Sequence, residues 1–119
     1  MQNLDEELKE KIQNLRRMQT NLEHITNQRV EMETKAREAE LAIEELEKTD
    51  SSQQIYKSIG GIMVKSSKEK LLPEKKSEKK SLDMKIKTLK QKEERTRNQI
   101  QQLSQTLQQE LSGSMQQGM

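Results

Sequence analysis

Few residues in this chain have the type and spacing that could do chemistry. Gly60-Gly61-Ile62-Met63-Val64-Lys65-Ser66 comes nearest to a phosphate-binding loop, where backbone N–H groups cradle phosphates beside a lysine. That chemistry needs glycine directly before the Lys-Ser pair, where Val64 stands. It needs another five residues further back, where Ile59 stands. Strand residues are the better reading. His24, the sole histidine, falls on the outer side of a helical frame and reads as a solvated side chain, not a ligand or base. Glutamate pairs recur at helical spacing, but nothing in the pattern builds a pocket that would shift their pKa values. Cysteine is absent, which removes thiolate nucleophiles, disulfides and cysteine-based zinc sites. The expectation is a protein that is not an enzyme, with no catalytic residues, cofactor or metal.

The lysine-rich stretch from Lys65 to Lys92 is the remaining candidate. Residues 51–92 hold 12 lysines and 4 acids, whereas residues 1–50 hold 8 basic and 13 acidic side chains, within a net charge of only +2. Clustered lysine neutralises phosphates and releases counterions, so a nucleic-acid-binding helix is one reading. Against it, the stretch has no arginine for bidentate base contacts and no aromatic residue for stacking. An acidic segment, residues 31–47, is available in the same chain to meet it. Nucleic acid is therefore the less favoured partner.

Composition sets the elements that must carry any function. Only 29% of the residues are hydrophobic, 35% are charged, and Tyr56 is the sole aromatic. Ordering a residue costs roughly 1–2 kcal/mol of backbone entropy, offset mainly by apolar burial. So little apolar bulk leaves disorder, or long helices that need only a narrow apolar stripe. No apolar run approaches the ~18 residues of a membrane span, and no signal pattern opens the chain. A soluble, cytoplasmic protein without membrane contact is expected.

Periodicity selects helices. Leu15, Met18, Leu22, Ile25, Arg29, Met32, Ala36, Ala39, Ile43 and Leu46 follow alternating steps of three and four; the frame extends back to Leu8 and Leu4. Leu82, Ile86, Leu89, Glu93, Thr96, Ile100, Leu103 and Leu107 repeat it. The mean step of 3.5 residues is that of a left-handed coiled coil. The whole chain, 1–119, reads as a single domain: helix one over 4–48, a linker over 49–72, helix two over 73–111 and a flexible tail over 112–119. Pro73 suits the first turn of a helix. Ser66 and Glu69, at capping-box spacing, also allow a start near Ser67. Each helix is roughly 60 Å long, which the linker could barely span, so the helices are expected to run antiparallel.

Within the linker the period changes to two. Ile55 to Ile59 and Ile62 to Lys65 flank Gly60-Gly61, and paired glycines between such runs signal a two-residue hairpin turn over 55–65. That register places Ile55, Ile59, Ile62 and Val64 on one face. An isolated hairpin is marginal in water, and open strand edges invite other chains. Several copies joining edge to edge into a closed barrel or sandwich would complete it. The helix ends raise the opposite issue. Leu4, Leu8, Ile12 and Leu15 begin helix one; Leu107, Leu111 and Met115 lie near the end of helix two. Antiparallel packing gathers them at one tip. They form either an ordinary coiled-coil terminus or a soft, adaptable binding surface of the kind methionine and leucine supply.

The run Ile55-Tyr56-Lys57-Ser58-Ile59-Gly60-Gly61-Ile62-Met63-Val64-Lys65, between two heptad helices of about forty residues, resembles the linker of archaeal-type prefoldin subunits of the β class. The resemblance covers nearly the whole chain; Pro73 and the lysines after it are its one departure. It implies a mainly α fold, a long antiparallel two-helix coiled coil whose central β-hairpin oligomerises into a β-barrel. It further implies a hexamer of two α-class and four β-class subunits that holds unfolded client proteins without ATP and passes them to a group II chaperonin. Ile55, Tyr56, Ile59, Gly60, Gly61, Ile62 and Val64 would then serve assembly. Leu4, Leu8, Ile12, Leu15, Leu107, Leu111 and Met115 would serve client binding. A purely architectural or tethering coiled coil stands as the alternative.

Overall fold

Heptad leucines and isoleucines, long runs of good helix formers and a single internal proline yield two long helices joined by a short hairpin. The computed structural model describes the backbone of residues 2–117 and the side chains of residues 5–113. Helix α1 spans Gln2–Lys48, strands β1 and β2 span Ile55–Ile59 and Ile62–Ser66, and helix α2 spans Lys68–Gln117. The chain forms two compact units. One comprises the chain up to Gln28 with the chain from Thr88 onward; the other is Arg29–Lys87.

In each unit the α1 and α2 segments lie antiparallel. Lys11 pairs with Glu110 and Thr26 with Glu93 in the first unit. In the second, Glu47 meets Lys76 at 3.6 Å, and Glu40 sits near enough to Lys79 to act on its charge. Every seam position from Leu15 to Leu46 is buried or half-buried, as is every one from Leu82 to Leu107. Ile25, Ala36, Ala39 and Leu46 are the best-covered apolar residues in α1, and Leu71, Leu82 and Leu107 in α2. The core is a stripe one side chain wide, as the scarcity of apolar residues demands.

Two boundaries differ from the sequence expectation. Helix α2 begins at Lys68 and carries Pro73 inside it. Ser67 is the reason: its hydroxyl accepts the Lys70 N–H at 3.3 Å, and its carbonyl accepts the Leu71 N–H at 2.9 Å. That cap starts the helix before the proline, which then costs α2 one bond to the Glu69 carbonyl. At the other end the helix runs through Gly113 to Gln117, so the flexible tail expected over 112–119 is helical as far as the described residues reach. Glycine without a competing cap weakens a helix by only about 1 kcal/mol and does not oblige it to stop.

Lys68 also finishes α1. Its ammonium donates to the carbonyls of Thr49 at 2.9 Å and Glu47 at 3.4 Å, placing positive charge on the carbonyl end of the helix. Asp50 and Gln53 then close a tight turn, with the Gln53 N–H on the Asp50 carbonyl at 3.0 Å and the Asp50 N–H on the Gln53 side chain at 3.1 Å. The connection into β1 is thus short and internally hydrogen-bonded.

Candidate assembly and binding surfaces

The hairpin is built around its turn. Gly60 has φ 52° and Gly61 φ 85°, the left-handed pair that a two-residue turn requires when its twist matches the strands. Ile59 faces Ile62, Ser58 faces Met63, Lys57 faces Val64, Tyr56 faces Lys65 and Ile55 faces Ser66. Alternation therefore gathers Ile55, Ile59, Ile62 and Val64 on one face, with Tyr56, Ser58, Met63 and Lys65 on the other. The base is tied down: Lys57 pairs with Glu74 of α2, and Ile55, Lys57 and Ser66 are half-buried. The hydrogen bond from Lys57, aided by the charges of Lys57 and Lys75, holds the Glu74 carboxyl below the usual carboxylate range against a smaller desolvation effect. The remainder is open. Ile59 is 49% exposed, Ile62 63% and Val64 40%; on the other face Tyr56 is 49% and Met63 66% exposed. Among the described residues the sheet has only these two strands, so each keeps an outer edge without a partner there. Met63 is a surface residue that alternation alone gave no reason to select.

The helix-end residues are brought together in the first unit. The Lys11–Glu110 pair sets the beginning of α1 beside the end of α2. Leu8, Ile12 and Leu15 are half-buried and Leu111 is exposed, whereas Leu107 is buried in the seam at 5% exposure. The side chains of Leu4 and Met115 lie outside the described ones. Near the end of α2 runs an open groove bordered by Gln105, Gln108, Gln109, Ser112 and Gly113. Gln105, Gln108, Gln109 and Ser112 recur at i, i+3, i+4 and i+7, a polar face of α2 that a search for apolar heptads does not select.

The lysine-rich stretch is partly neutralised. Lys75 pairs with Glu78 at 3.2 Å, Lys79 with Asp83 at 2.9 Å and Lys76 with Glu47. The Asp83 hydrogen bond and charge, with Glu40 behind them, raise Lys79 above its ordinary value, opposed by desolvation. Most pairs stay within one helix. His24 is exposed, and Val64 and Lys65 belong to β2, not to a phosphate loop. Among the described residues no cluster of His, Cys, Asp or Glu could hold a metal ion, and no helix is long and apolar enough to cross a membrane.

A family model described as "Prefoldin subunit" matches residues 2–114. The prefoldin subunit beta of Archaeoglobus fulgidus is 36% identical over 110 residues, covering 89% of this chain and 95% of its own length. That of Methanothrix thermoacetophila is 34% identical over 109 residues, covering 88% and 91%. Among solved structures, the crystal structure of the prefoldin beta subunit from Thermococcus strain KS-1 has the same fold, with a TM-score of 0.78 at 24% identity over 92% of this chain and 96% of that one. With its two heptad helices, glycine-turned hairpin and these relatives, the chain belongs to the prefoldin family, as a chaperone subunit of its β class.

Proposed function

We propose that the chain is a subunit of an ATP-independent holdase that assembles through its hairpin and grips unfolded proteins at its helix ends. The observation that carries this reading is the uncovered hairpin. Ile59, Ile62 and Val64 expose apolar surface on a two-stranded sheet with both edges open, a combination that water does not support alone. Other subunits complete it. The assembly is a hexamer in which this chain supplies four copies and an α-class subunit two, with Ile55, Tyr56, Ile59, Gly60, Gly61, Ile62 and Val64 at the strand interface closing a β-barrel. It works in the cytoplasm and hands its clients to a group II chaperonin.

Client binding falls to Leu4, Leu8, Ile12, Leu15, Leu107, Leu111 and Met115. Leu111 offers open apolar surface directly; Leu107 contributes when a client parts the helix ends. Each contact is weak, and several arms holding one chain raise the effective concentration enough to retain it. Without a nucleotide, release follows from the weakness of each contact. The burial of Leu107 favours a second reading, an architectural coiled coil whose ends are simply closed.

Deletion of residues 1–12 and 108–119 separates the two. The holdase reading expects an oligomer of unchanged subunit number that no longer suppresses aggregation of a denatured client, followed by light scattering. Full suppression by the truncated oligomer would overturn the helix-end site, and no suppression by the full-length oligomer would leave only the architectural role.

A further inference from the structure

The two most exposed apolar side chains on the helices sit outside the seam, and both lie in the Arg29–Lys87 unit. Leu41 is 61% and Met84 65% exposed, the highest values for large apolar side chains on α1 and α2 among the described residues. Their surroundings are opposite in charge. Residues three and four apart are neighbours on a helix surface, so Glu38, Glu44 and Glu45 outnumber the single cation Arg37 around Leu41, while Lys80 and Lys87 flank Met84. None of these six charged side chains is in an ion pair among the described residues, although Lys75, Lys76 and Lys79 nearby all are. The two sites also differ in shape. Leu41 stands on the outer face of α1. Met84 borders a groove of about 380 Å³ lined by Ile43, by Lys76, Lys79, Lys80 and Lys87, and by a single carboxylate, Asp83.

We infer that this groove receives the outer face of α1 from a second copy of the chain, with Leu41 seated against Met84 and Ile43. Glu38, Glu44 and Glu45 of one copy then oppose Lys80 and Lys87 of the next. The contact rests on the hairpin-mediated assembly proposed above, which brings the Arg29–Lys87 units of adjacent copies together. An exposed ion pair stabilises little by itself. Between chains already joined at their strands, though, a weak contact forms at high effective concentration and fixes orientation. Pairing α1 of one copy with α2 of the next is head-to-tail, so each subunit uses one face towards each neighbour. The unbalanced charge of the two halves of the chain thereby acquires a second purpose: choosing which sides of neighbouring subunits meet.

The chain has no cysteine, which makes the test clean. Two full-length single variants, L41C and M84C, carrying different tags, are mixed, assembled with the α-class subunit and oxidised. The expected product is the mixed L41C–M84C disulfide dimer, several-fold above either like-with-like dimer. Introducing K80E and K87E into the M84C chain lowers its yield roughly fivefold, and adding E44K and E45K to the L41C chain restores it. An assembly of unchanged mass that gives no excess of the mixed dimer overturns this contact and leaves the hairpin reading intact. Single chains in light scattering overturn both.

Discussion

Gly60 and Gly61 hold the turn because their φ values lie where a Cβ is strained, not because space is short: a Cβ at either position would meet nothing within 4 Å. Gly61→Val is therefore expected to cost about 1–2 kcal/mol of hairpin stability, whereas Gly60→Asn is tolerated; the readout is the concentration at which the assembly dissociates. Lys57 and Glu74 tie the hairpin base to α2. Glu74 has its pKa lowered in the folded chain, so its contribution is present above the ordinary carboxylate value and is lost as pH falls through the lowered one. Acid titration followed by hydrogen exchange at β1 should show protection falling in that window for the native chain and no such step for Glu74→Gln. Glu93, 3% exposed, accepts from Thr26 and Arg97, each at 3.3 Å. Thr26→Val removes one of these bonds to a buried charge and is expected to lower stability by about 1–3 kcal/mol in chemical denaturation. The heptads made Glu93 visible as a core position. They could not reveal Thr26 and Arg97 as its partners, because neither stands on the seam.

At the level of elements, the hairpin register was legible to the residue: two glycines with period-two runs on each side leave only one turn. The start of α2 was not. Pro73 fits the first turn by its fixed φ, and that preference competes with the Ser67 cap six residues earlier. The cap wins because it brings Leu71 into the buried stripe and positions Lys68 to close the end of α1. Pro73 remains as a local cost inside the helix. Pro73→Ala would supply the missing N–H to the Glu69 carbonyl and is expected to stabilise the chain by up to about 3 kcal/mol, seen as a higher urea midpoint. Ser67→Ala should lower that midpoint by about 1 kcal/mol. The tail of α2 escaped notice for the converse reason: Gly113 looks like a stop, but nothing after it competes with continued helix.

For the whole molecule, the narrow stripe between the helices and the bare hairpin have one origin, a chain too poor in apolar residues to build a wide core. The stripe satisfies the helices and leaves Ile59, Ile62 and Val64 without cover. The surfaces that act on other chains are legible as types in the sequence, β-branched strand residues and terminal leucines. Their state follows the frame only in part: Leu107 continues the heptad seam and is buried, whereas Leu111, one residue past the next seam position at Glu110, is exposed. The most direct test is the native mass of the chain together with an α-class subunit, compared with that of a chain carrying Ile62→Ser and Val64→Ser, with helicity followed in parallel. A particle of several subunits is expected for the native chain, and dissociated, still helical chains for the variant. A native chain that stays single and folded across all concentrations would contradict that expectation.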